Sequence, residues 1–450
     1  MTKTDLIIIG SGPGGYKTAE YAAKHGLQVI IFESTHAGGT CLNEGCIPTK
    51  AFCHNAEIID ELKEASDLGL ENLSYELNFK KIADRKAAIV KQLQEGVGIL
   101  MSAPGIKLIM AKAEFKDAKT VVANGEEYTA DNIIIATGSH SKMPPIEGIN
   151  QEGVITSTEL LDIQYVPKRL CIVGAGVIGM EFASAFSSFG SEVTVIEFLS
   201  ECLPPIDSDI AKRLRQNMSK RGVSFNMKSG VKKIEKVEGG LNVTFENKKG
   251  KEESVEADVV LIATGRGANV QGFGLENTGV ETARPGIVVD DNMKTNVDGI
   301  YAIGDVNGRC MLAHAATFQG MRAVNHILGK KDNIILNNIP SAVFTNPEVG
   351  GVGLTEDACK AQGLEYTVKK AFYRANGKAM AMNVTEGILK LIADKEGKII
   401  GCYIFGSHAA DLAQEISVLM SKGTTVQELA DMVHIHPTLS EIIVDAAVQF

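Results

Sequence analysis

The sequence predicts an α/β fold in which one strand–loop–helix unit occurs twice and is followed by a separate α+β domain. An apolar segment leads into a glycine-rich loop and then a helical stretch at Leu6–Ile9, and again at Leu170–Val173. Gly174 follows Gly10 by 164 positions, and the acidic residue after each loop repeats at the same offset. Two independent accidents would not share one offset. The repeat therefore predicts two Rossmann-like dinucleotide-binding domains.

Each glycine loop has the spacing Gly-x-Gly-x-x-Gly, at 10–15 and at 174–179, and an acidic residue follows its last glycine by 18 positions. The first two glycines let backbone N–H groups reach a pyrophosphate, and the third lets the helix pack on the strand. The helix N-terminus favours the phosphate charge. Glu33 and Glu197 are predicted to accept hydrogen bonds from ribose hydroxyls. A glycine turn without a ligand, the alternative, does not account for the shared acid.

The residues after Glu197 bear on the choice of cofactor. A 2′-phosphate would be repelled by that carboxylate and would require a nearby arginine. Positions 198–202 contain neither arginine nor lysine. The second site is therefore predicted to prefer NAD over NADP.

Further segments mark the ends of the repeated units. Closing strands are predicted at Ile133–Gly138 and Val259–Gly265, and a proline-containing linker at Met143–Pro145. A third region, Thr295–Asp305, ends in a short apolar segment. From about Ile339 the pattern changes to alternating segments followed by helical stretches, which predicts the separate α+β domain.

The composition excludes several classes of protein. The 450 residues are 44% hydrophobic and 22% charged, and the net charge is −10. This acidic balance argues against a nucleic-acid-binding or membrane-surface protein. No apolar run reaches the roughly 18 residues that a membrane span needs. Eight dispersed cysteines do not form a secreted disulfide framework, so we expect a reducing compartment, the cytoplasm.

Two cysteines, Cys41 and Cys46, lie five positions apart in the segment Gly38–Lys50. On a regular helix their axial separation would be about 7.5 Å, beyond comfortable disulfide reach. A bridge therefore requires a distorted turn, for which Gly45 is suited, and a local bridge of that kind tends to be redox-active. A helix start and Lys50 nearby would stabilise a thiolate. Two unrelated buried cysteines remain the alternative.

The other cysteines have no comparable setting. A metal site would need further ligands at close spacing, which the sequence does not offer, so no metal is predicted. Six cysteines are predicted to be small buried apolar residues: Cys53, Cys171, Cys202, Cys310, Cys359 and Cys402.

The segment His434–Glu441 carries a candidate base. Thiol–disulfide exchange needs a base for the incoming dithiol, and histidine titrates in the right range. Glu441 is predicted to orient the imidazole of His436, as in an acid–histidine pair. The spacing alone is a weak signal, and the cysteine pair strengthens it.

Taken together, these motifs resemble those of the pyridine nucleotide–disulfide oxidoreductases over essentially the whole chain, most closely the members that oxidise protein-bound dihydrolipoamide. The most specific segments are Gly38–Lys50 and His434–Glu441, and Thr295–Asp305 with Met311–His314 is also typical. The resemblance implies four parts: an FAD-binding domain at 1–142, an NAD-binding domain at 143–264, a central segment at 265–335 that completes the FAD domain, and a dimerisation domain at 336–450.

The resemblance also implies the residues of two cofactor sites. FAD is expected at Gly10, Gly12, Gly14, Gly15, Glu33, Gly39, Thr40, Lys50, Ala113, Thr137, Gly138, Ser139, Gly304, Asp305, Met311, Leu312, Ala313 and His314. NAD is expected at Gly174, Gly176, Val177, Ile178, Gly179, Glu181, Glu197, Val231 and Gly265. An ion pair between Lys50 and Glu181 is expected beside the flavin.

The catalytic set that the resemblance implies is Cys41, Cys46, His436 and Glu441. Cys41 is expected to exchange with the substrate, Cys46 to face the flavin, and His436 to deprotonate a dihydrolipoyl thiol. Electrons would pass to FAD and leave as hydride to NAD⁺. His436 is expected to act from the partner subunit of an obligate homodimer. The expected partners are the lipoyl domains of acyltransferases or glycine-cleavage carrier proteins, with no nucleic acid and no membrane.

Other activities share parts of this pattern. Glutathione and trypanothione reductases use NADPH, against which positions 198–202 argue. Mercuric reductase would carry a further cysteine pair at the C-terminus, and soluble transhydrogenase lacks the redox cysteines. A reductase of another small disulfide and a non-catalytic flavoprotein assembly subunit are the remaining alternatives. The retained Cys41, Cys46, His436 and Glu441 argue against the assembly subunit.

Overall fold

The structure is a computed structural model that describes residues 1–450. The chain divides into two compact units. The first comprises residues 1–51, 83–142 and 265–336, and the second comprises residues 52–82, 143–264 and 337–450. The helices Cys46–Glu64 and Phe79–Leu100 contain residues assigned to both units.

The chain contains thirteen α-helices and twenty-four β-strands. The helices are α1 Pro13–Lys24, α2 Gly39–Asn43, α3 Cys46–Glu64, α4 Phe79–Leu100, α5 Ser157–Asp162, α6 Val177–Phe189, α7 Ser208–Lys220, α8 Ala313–Ile327, α9 Glu356–Gln362, α10 Gly377–Ala381, α11 Ala409–Ser421, α12 Val426–Ala430 and α13 Glu441–Ala447. The strands are β1 Thr2–Ile9, β2 Val29–Glu33, β3 Ile106–Met110, β4 Glu114–Asp117, β5 Thr120–Ala123, β6 Glu126–Ile135, β7 Ser139–Ser141, β8 Val154–Ile155, β9 Arg169–Val173, β10 Glu192–Glu197, β11 Ser224–Met227, β12 Gly230–Val237, β13 Gly240–Glu246, β14 Glu252–Ala257, β15 Val259–Ile262, β16 Arg266–Ala268, β17 Thr282–Ala283, β18 Gly286–Ile287, β19 Ile300–Ala302, β20 Ser341–Val343, β21 Glu348–Gly353, β22 Tyr366–Phe372, β23 Ile388–Asp394 and β24 Ile399–Gly406.

The main sheet of the first unit has the order β3-β2-β1-β6-β5-β4, with β19 beside β6. Strands β3, β2, β1, β6 and β19 run parallel, whereas β5 pairs antiparallel with β6, and β4 pairs antiparallel with β5. Both faces of β1 are covered, because Ile7 and Ile9 belong to one apolar core and Leu6 and Ile8 to another. The chain turns to β2 on one side of β1 and to β6 on the other. The carboxyl end of β1 therefore lies at the reversal of strand order, where α/β sheets bind ligands.

The second unit repeats this arrangement in a parallel sheet of order β11-β10-β9-β15-β8. Its central strand, β9, contains the predicted segment Leu170–Val173, which is buried. Between β11 and β15 the chain adds an antiparallel sheet, β12-β13-β14, which the sequence did not predict.

The C-terminal part of the second unit is an antiparallel sheet of order β20-β21-β24-β23-β22. Leu389 and Leu391 of β23 are fully buried in one core with Ile416 of α11 and Ile443 of α13. The predicted fold class, two repeated α/β domains and an α+β domain, is confirmed.

Two details complete the fold. No helix in residues 1–450 combines the length and hydropathy that a membrane span requires.

The prediction that all six remaining cysteines are buried is wrong for Cys53 and Cys310, which are partly exposed. Cys53 lies on α3, and Cys310 lies in the loop before α8.

Candidate active site

The first glycine loop lies between β1 and α1. Gly10 has a φ of +103°, and a Cβ there would lie 2.3 Å from the carbonyl oxygen of Ala136. A Cβ at Gly15 would lie 1.9 Å from the carbonyl oxygen of Gly10, so the packing of the protein itself requires both glycines. Gly12 has a φ of −65°, and its Cβ would meet nothing closer than the Cα of Gly39, at 3.9 Å. That open space at the start of α1 fits a phosphate.

The second glycine loop, between β9 and α6, divides the same roles. Gly174 has a φ of +108°, and its Cβ would lie 2.5 Å from the carbonyl oxygen of Ala263. A Cβ at Gly179 would lie 2.1 Å from the carbonyl oxygen of Gly174. Gly176 has a φ of −73° and open space within 4 Å. The middle glycine of each loop is therefore the one that leaves room for a ligand.

Glu33, the last residue of β2, is held beside the first loop. Its Oε2 accepts hydrogen bonds from the backbone N–H of Ser11 at 2.9 Å and from the Ser11 hydroxyl at 2.7 Å. Its Oε1 accepts from the N–H of Thr35 at 2.9 Å and from the Thr35 hydroxyl at 3.0 Å. Four donors fix the orientation of this carboxylate at the carboxyl edge of the sheet.

Glu197, the last residue of β10, accepts from the N–H of Ala175 at 2.6 Å and from the N–H of Leu199 at 2.7 Å. Each oxygen keeps a lone pair that a ribose hydroxyl can use. Arg215 reaches the following turn, but its guanidinium is bidentate to Glu201 at 2.6 and 2.9 Å. Because that charge is already paired, the turn retains the acidic character that favours NAD.

Cys41 and Cys46 lie on either side of a short interruption between helices α2 and α3. Glu44 and Gly45 separate the two helices, and the break brings the Cα atoms of Cys41 and Cys46 within 4.7 Å in a disulfide. A Cβ at Gly45 would lie 3.0 Å from the carbonyl oxygen of Thr40, so a larger residue would push this backbone by a few tenths of an ångström. The interruption is what allows cysteines five apart to bridge.

The disulfide segment lies against the first glycine loop. A Cβ at Gly39 would be 2.5 Å from the Cα of Gly12, which means that the two backbones touch. Cys46 is the first residue of α3, and Lys50 lies one turn further along. The positive end of the helix favours a thiolate at Cys46.

A hydrogen-bonded chain joins three further residues near the end of β6. Arg266 donates to the hydroxyl of Ser139 at 2.7 Å and to its carbonyl at 2.6 Å, and the Ser139 hydroxyl donates to Asp305 at 2.5 Å. Burial lowers the pKa of Arg266. Asn269 and Thr137 exchange two hydrogen bonds, each of 2.8 Å. Arg266 and Asn269 were not predicted; the available signal was two polar residues just after the end of a strand.

His436 and Glu441 form a hydrogen bond, with 2.9 Å between Nδ1 and Oε1. The N–H of Thr438 donates to Oε2 of Glu441 at 2.9 Å. The hydrogen bond from Thr438, which has the larger effect, and the one from His436 lower the pKa of Glu441. In a neutral imidazole whose Nδ1 donates to this carboxylate, Nε2 has the lone pair, and the His436 side chain is 78% exposed. This geometry suits a base that takes a proton from an incoming substrate.

The remaining predicted residues lie in both units. Glu181 on α6 is 3% exposed, and its Oε1 accepts from the N–H of Phe344 at 2.9 Å. Gly304 donates its N–H to the side chain of Gln319 at 2.7 Å. The first unit also contains Gly14, Lys50, Ala113, Gly138, Gly265, Met311, Leu312, Ala313 and His314, and the second contains Val177, Ile178 and Val231.

Two family models match most of the chain. The pyridine nucleotide-disulphide oxidoreductase model matches residues 4–320, and the model of that family's dimerisation domain matches residues 339–447. The chain belongs to the pyridine nucleotide-disulphide oxidoreductase family. It is an oxidoreductase and a flavoprotein that uses FAD and NAD, and the Cys41–Cys46 disulfide is its redox-active centre. The two glycine loops leave room for a pyrophosphate at Gly12 and Gly176, and Glu197 keeps lone pairs that a ribose can use.

Similar sequences include enzymes with two different names. Dihydrolipoyl dehydrogenase of Bacillus subtilis is 38% identical over 455 residues, which cover 99% of this chain and 96% of that protein. Leghemoglobin reductase of Glycine max is 37% identical, with coverage of 99% and 87%.

Similar structures carry different names as well. A Cu(II) complex of the HOCl-induced flavoprotein disulfide reductase RclA from Escherichia coli is 30% identical, with a TM-score of 0.89 and full coverage of both chains. LpdA from Mycobacterium tuberculosis is 28% identical, with a TM-score of 0.91 and coverage of 100% and 99%. Because enzymes of different names share this fold, the fold alone does not determine the substrate.

Proposed function

We propose that the protein is an NAD-dependent dihydrolipoyl dehydrogenase. The reaction converts a protein-bound dihydrolipoyl dithiol and NAD⁺ into the lipoyl disulfide, NADH and a proton. The observation that carries the proposal is the Cys41–Cys46 disulfide at the start of α3, against the first glycine loop. Its support from sequence is a series of dihydrolipoyl dehydrogenases 36 to 38% identical over almost the whole chain.

The proposed roles follow the chemistry of each residue. His436 takes a proton from the dithiol through Nε2, while Glu441 holds the ring through Nδ1. The resulting thiolate attacks Cys41, and the sulfur of Cys46 leaves as a thiolate. The second substrate thiol then attacks the mixed disulfide and gives its proton to the leaving sulfur of Cys41. The substrate becomes a disulfide, and the protein holds a Cys41 thiol, a Cys46 thiolate and a protonated His436. FAD, when bound, supplies the transfer of the electron pair from this dithiol to NAD⁺.

The proposed cofactor sites follow the two glycine loops. We assign FAD to the loop at 10–15, with Glu33, the segment Gly39–Lys50, Ala113, and the cluster around Ser139 and Asp305. We assign NAD to the loop at 174–179, with Glu181, Glu197, Val231 and Gly265. The proposed domains are 1–142 and 265–335 for FAD, 143–264 for NAD, and 336–450 for dimerisation.

The proposed assembly is a homodimer in which His436 serves the disulfide of the other subunit. The dimerisation domain at 339–447 supports it, and the 78% exposure of His436 within one chain agrees with a role toward a partner. The proposed macromolecular substrates are lipoyl domains of acyltransferases or of glycine-cleavage carrier proteins.

The test is an anaerobic absorbance titration of the purified flavoprotein, first with NADH and then with dihydrolipoamide. The proposal expects a long-wavelength charge-transfer band with both reagents. If NADH reduces the flavin while dihydrolipoamide does not, the substrate is another small disulfide and the proposed function is wrong. Turnover of lipoamide attached to a lipoyl domain, compared with free lipoamide, then tests the proposed partner.

A further inference from the structure

The loop His434–Ser440, which carries His436, is held at both ends by one carboxylate. Glu415 on α11 places Oε1 2.9 Å from Nε2 of His434, and its Oε2 accepts from the Ser440 hydroxyl at 2.5 Å. The side chain of His434 is 11% exposed and that of Glu415 is 35% exposed. A single carboxylate thus bridges the beginning and the end of the loop.

His434 is an anchor in this arrangement. Its Nδ1 lies 3.0 Å from the carbonyl oxygen of Met432, and a carbonyl only accepts, so Nδ1 carries a proton. Its Nε2 lies within hydrogen-bond distance of Oε1 of Glu415, at 2.9 Å. Both ring nitrogens of His434 are therefore engaged. Of the two histidines in this loop, only His436 has a ring nitrogen available to a substrate.

The hydrogen bonds of Glu415 act on the base, His436, through the start of α13. Ser440 directly precedes Glu441, the first residue of that helix and the hydrogen-bond partner of His436. The middle of the loop is held as well, since Asn376 donates to the carbonyl of Thr438 at 3.0 Å. The position of Ser440 therefore determines where Glu441 holds the imidazole.

We propose that Glu415 is a positioning residue for the base of this enzyme. It acts through His434 and Ser440 and fixes the exposed tip of the loop before the dithiol arrives. The inference rests on the proposed function, because it takes His436 as the base for a dithiol.

The experiment measures kcat and KM of the holoenzyme with dihydrolipoamide and, separately, with dithiothreitol. Glu415→Ala should lower kcat about 10- to 100-fold, since a displacement of about 1 Å can cost that much. The control is Gln414→Ala, the exposed neighbour on the same helix, which should retain wild-type kcat. Reduction of the flavin by NADH does not need His436 and should keep its rate in both variants.

Two further variants separate positioning from general damage. In Glu415→Gln the amide oxygen can accept from Ser440 and the amide nitrogen can donate to His434, so kcat should recover to within about threefold of wild type. In a His436→Gln background, Glu415→Ala should cause no additional loss, because it acts only through His436.

A further loss in the double variant, or an unaltered kcat in Glu415→Ala, would overturn the proposal. Equal loss in Glu415→Gln and Glu415→Ala would also overturn it. If the wild type oxidises dithiothreitol but not dihydrolipoamide, the proposed substrate is wrong, and the same comparison with dithiothreitol still decides the role of Glu415.

Discussion

At the scale of single residues, His436 depends on one hydrogen bond. Its Nδ1 is committed to Glu441, and its remaining nitrogen faces solvent from a side chain that is 78% exposed. His436→Gln keeps the size of the side chain but removes the basic nitrogen. We expect dihydrolipoamide turnover to fall by about 10² to 10⁴-fold, the usual contribution of a positioned base.

Two rates are measured: steady-state turnover of dihydrolipoamide, and flavin reduction after rapid mixing with NADH. His54→Gln, an exposed histidine on α3, is the matched control and should keep full turnover. Flavin reduction by NADH should proceed in both variants. Full turnover in His436→Gln would remove this residue from the proposed role.

The two cysteines are distinguished by their places in the fold. Cys46 starts α3 and lies one turn from Lys50, whereas Cys41 lies on the short helix α2. A thiolate is better stabilised at the start of α3. Cys46→Ser should therefore abolish the charge-transfer band on two-electron reduction, and Cys41→Ser should show the band without reduction. The opposite pattern in the visible spectra would reverse the assignment.

At the scale of elements, the glycine loops separate packing from binding. Gly179→Ala places a Cβ 2.1 Å from a backbone oxygen, so we expect it to lower the stability of the protein by about 1–3 kcal/mol. Gly176→Ala meets nothing within 4 Å and has a φ of −73°, which alanine adopts freely. Its methyl group instead occupies the space proposed for the pyrophosphate.

The measurement is NADH affinity together with the midpoint of thermal unfolding. Gly176→Ala should weaken NADH binding at least tenfold with little change in the midpoint, whereas Gly179→Ala should lower the midpoint. Wild-type affinity in Gly176→Ala would contradict the assignment of this loop to NAD.

The elements that the sequence predicted correctly are those that a short stretch of sequence determines. Leu6–Ile9 and Leu170–Val173 are buried strands before glycine loops, and both follow from a short apolar run and the spacing of the glycines. The sheet β12-β13-β14 was not predicted. It forms only when separate strands pair with one another, and no short sequence pattern specifies that pairing. The His436–Glu441 pair could be predicted from the sequence, since the two residues are only five positions apart.

The contacts that sequence reasoning missed join distant positions. Arg266 reaches Ser139 across 127 positions, and Ser440 reaches Glu415 across 25. Nothing in the local pattern of charges specifies such partners. The partial exposure of Cys53 and Cys310 was missed for the same reason, because burial depends on which elements pack around a residue.

At the scale of the whole molecule, a buried ionic cluster connects separate parts of the second unit. Nζ of Lys390 on β23 lies 2.8 Å from Asp207 and 2.6 Å from Glu356, and the side chains of Lys390 and Asp207 are 2% and 0% exposed. Burial alone would lower the pKa of Lys390, but the hydrogen bonds that it donates to Asp207 and Glu356 raise it. Lys390→Met would leave Asp207 as an unpaired buried charge. We expect a loss of about 3–5 kcal/mol, measured as a lower midpoint of unfolding.

The same cluster gives the stability a defined dependence on pH. Hydrogen bonds from Lys360 and Lys390 lower the pKa of Glu356 to about 2. Because this pKa is below its ordinary value, Glu356 stabilises the folded chain fully above about pH 4.5, and the stabilisation is lost as the pH falls from there through about 2.

Glu356→Gln removes this contribution. The midpoint of thermal unfolding should therefore differ most between wild type and Glu356→Gln at neutral pH, and the difference should narrow by pH 3. Glu238→Gln, an exposed glutamate in the turn between β12 and β13, is the matched control and should follow wild type throughout. A difference for Glu356→Gln that stays constant from pH 7 to pH 3 would mean that its carboxylate does not stabilise the cluster through its charge.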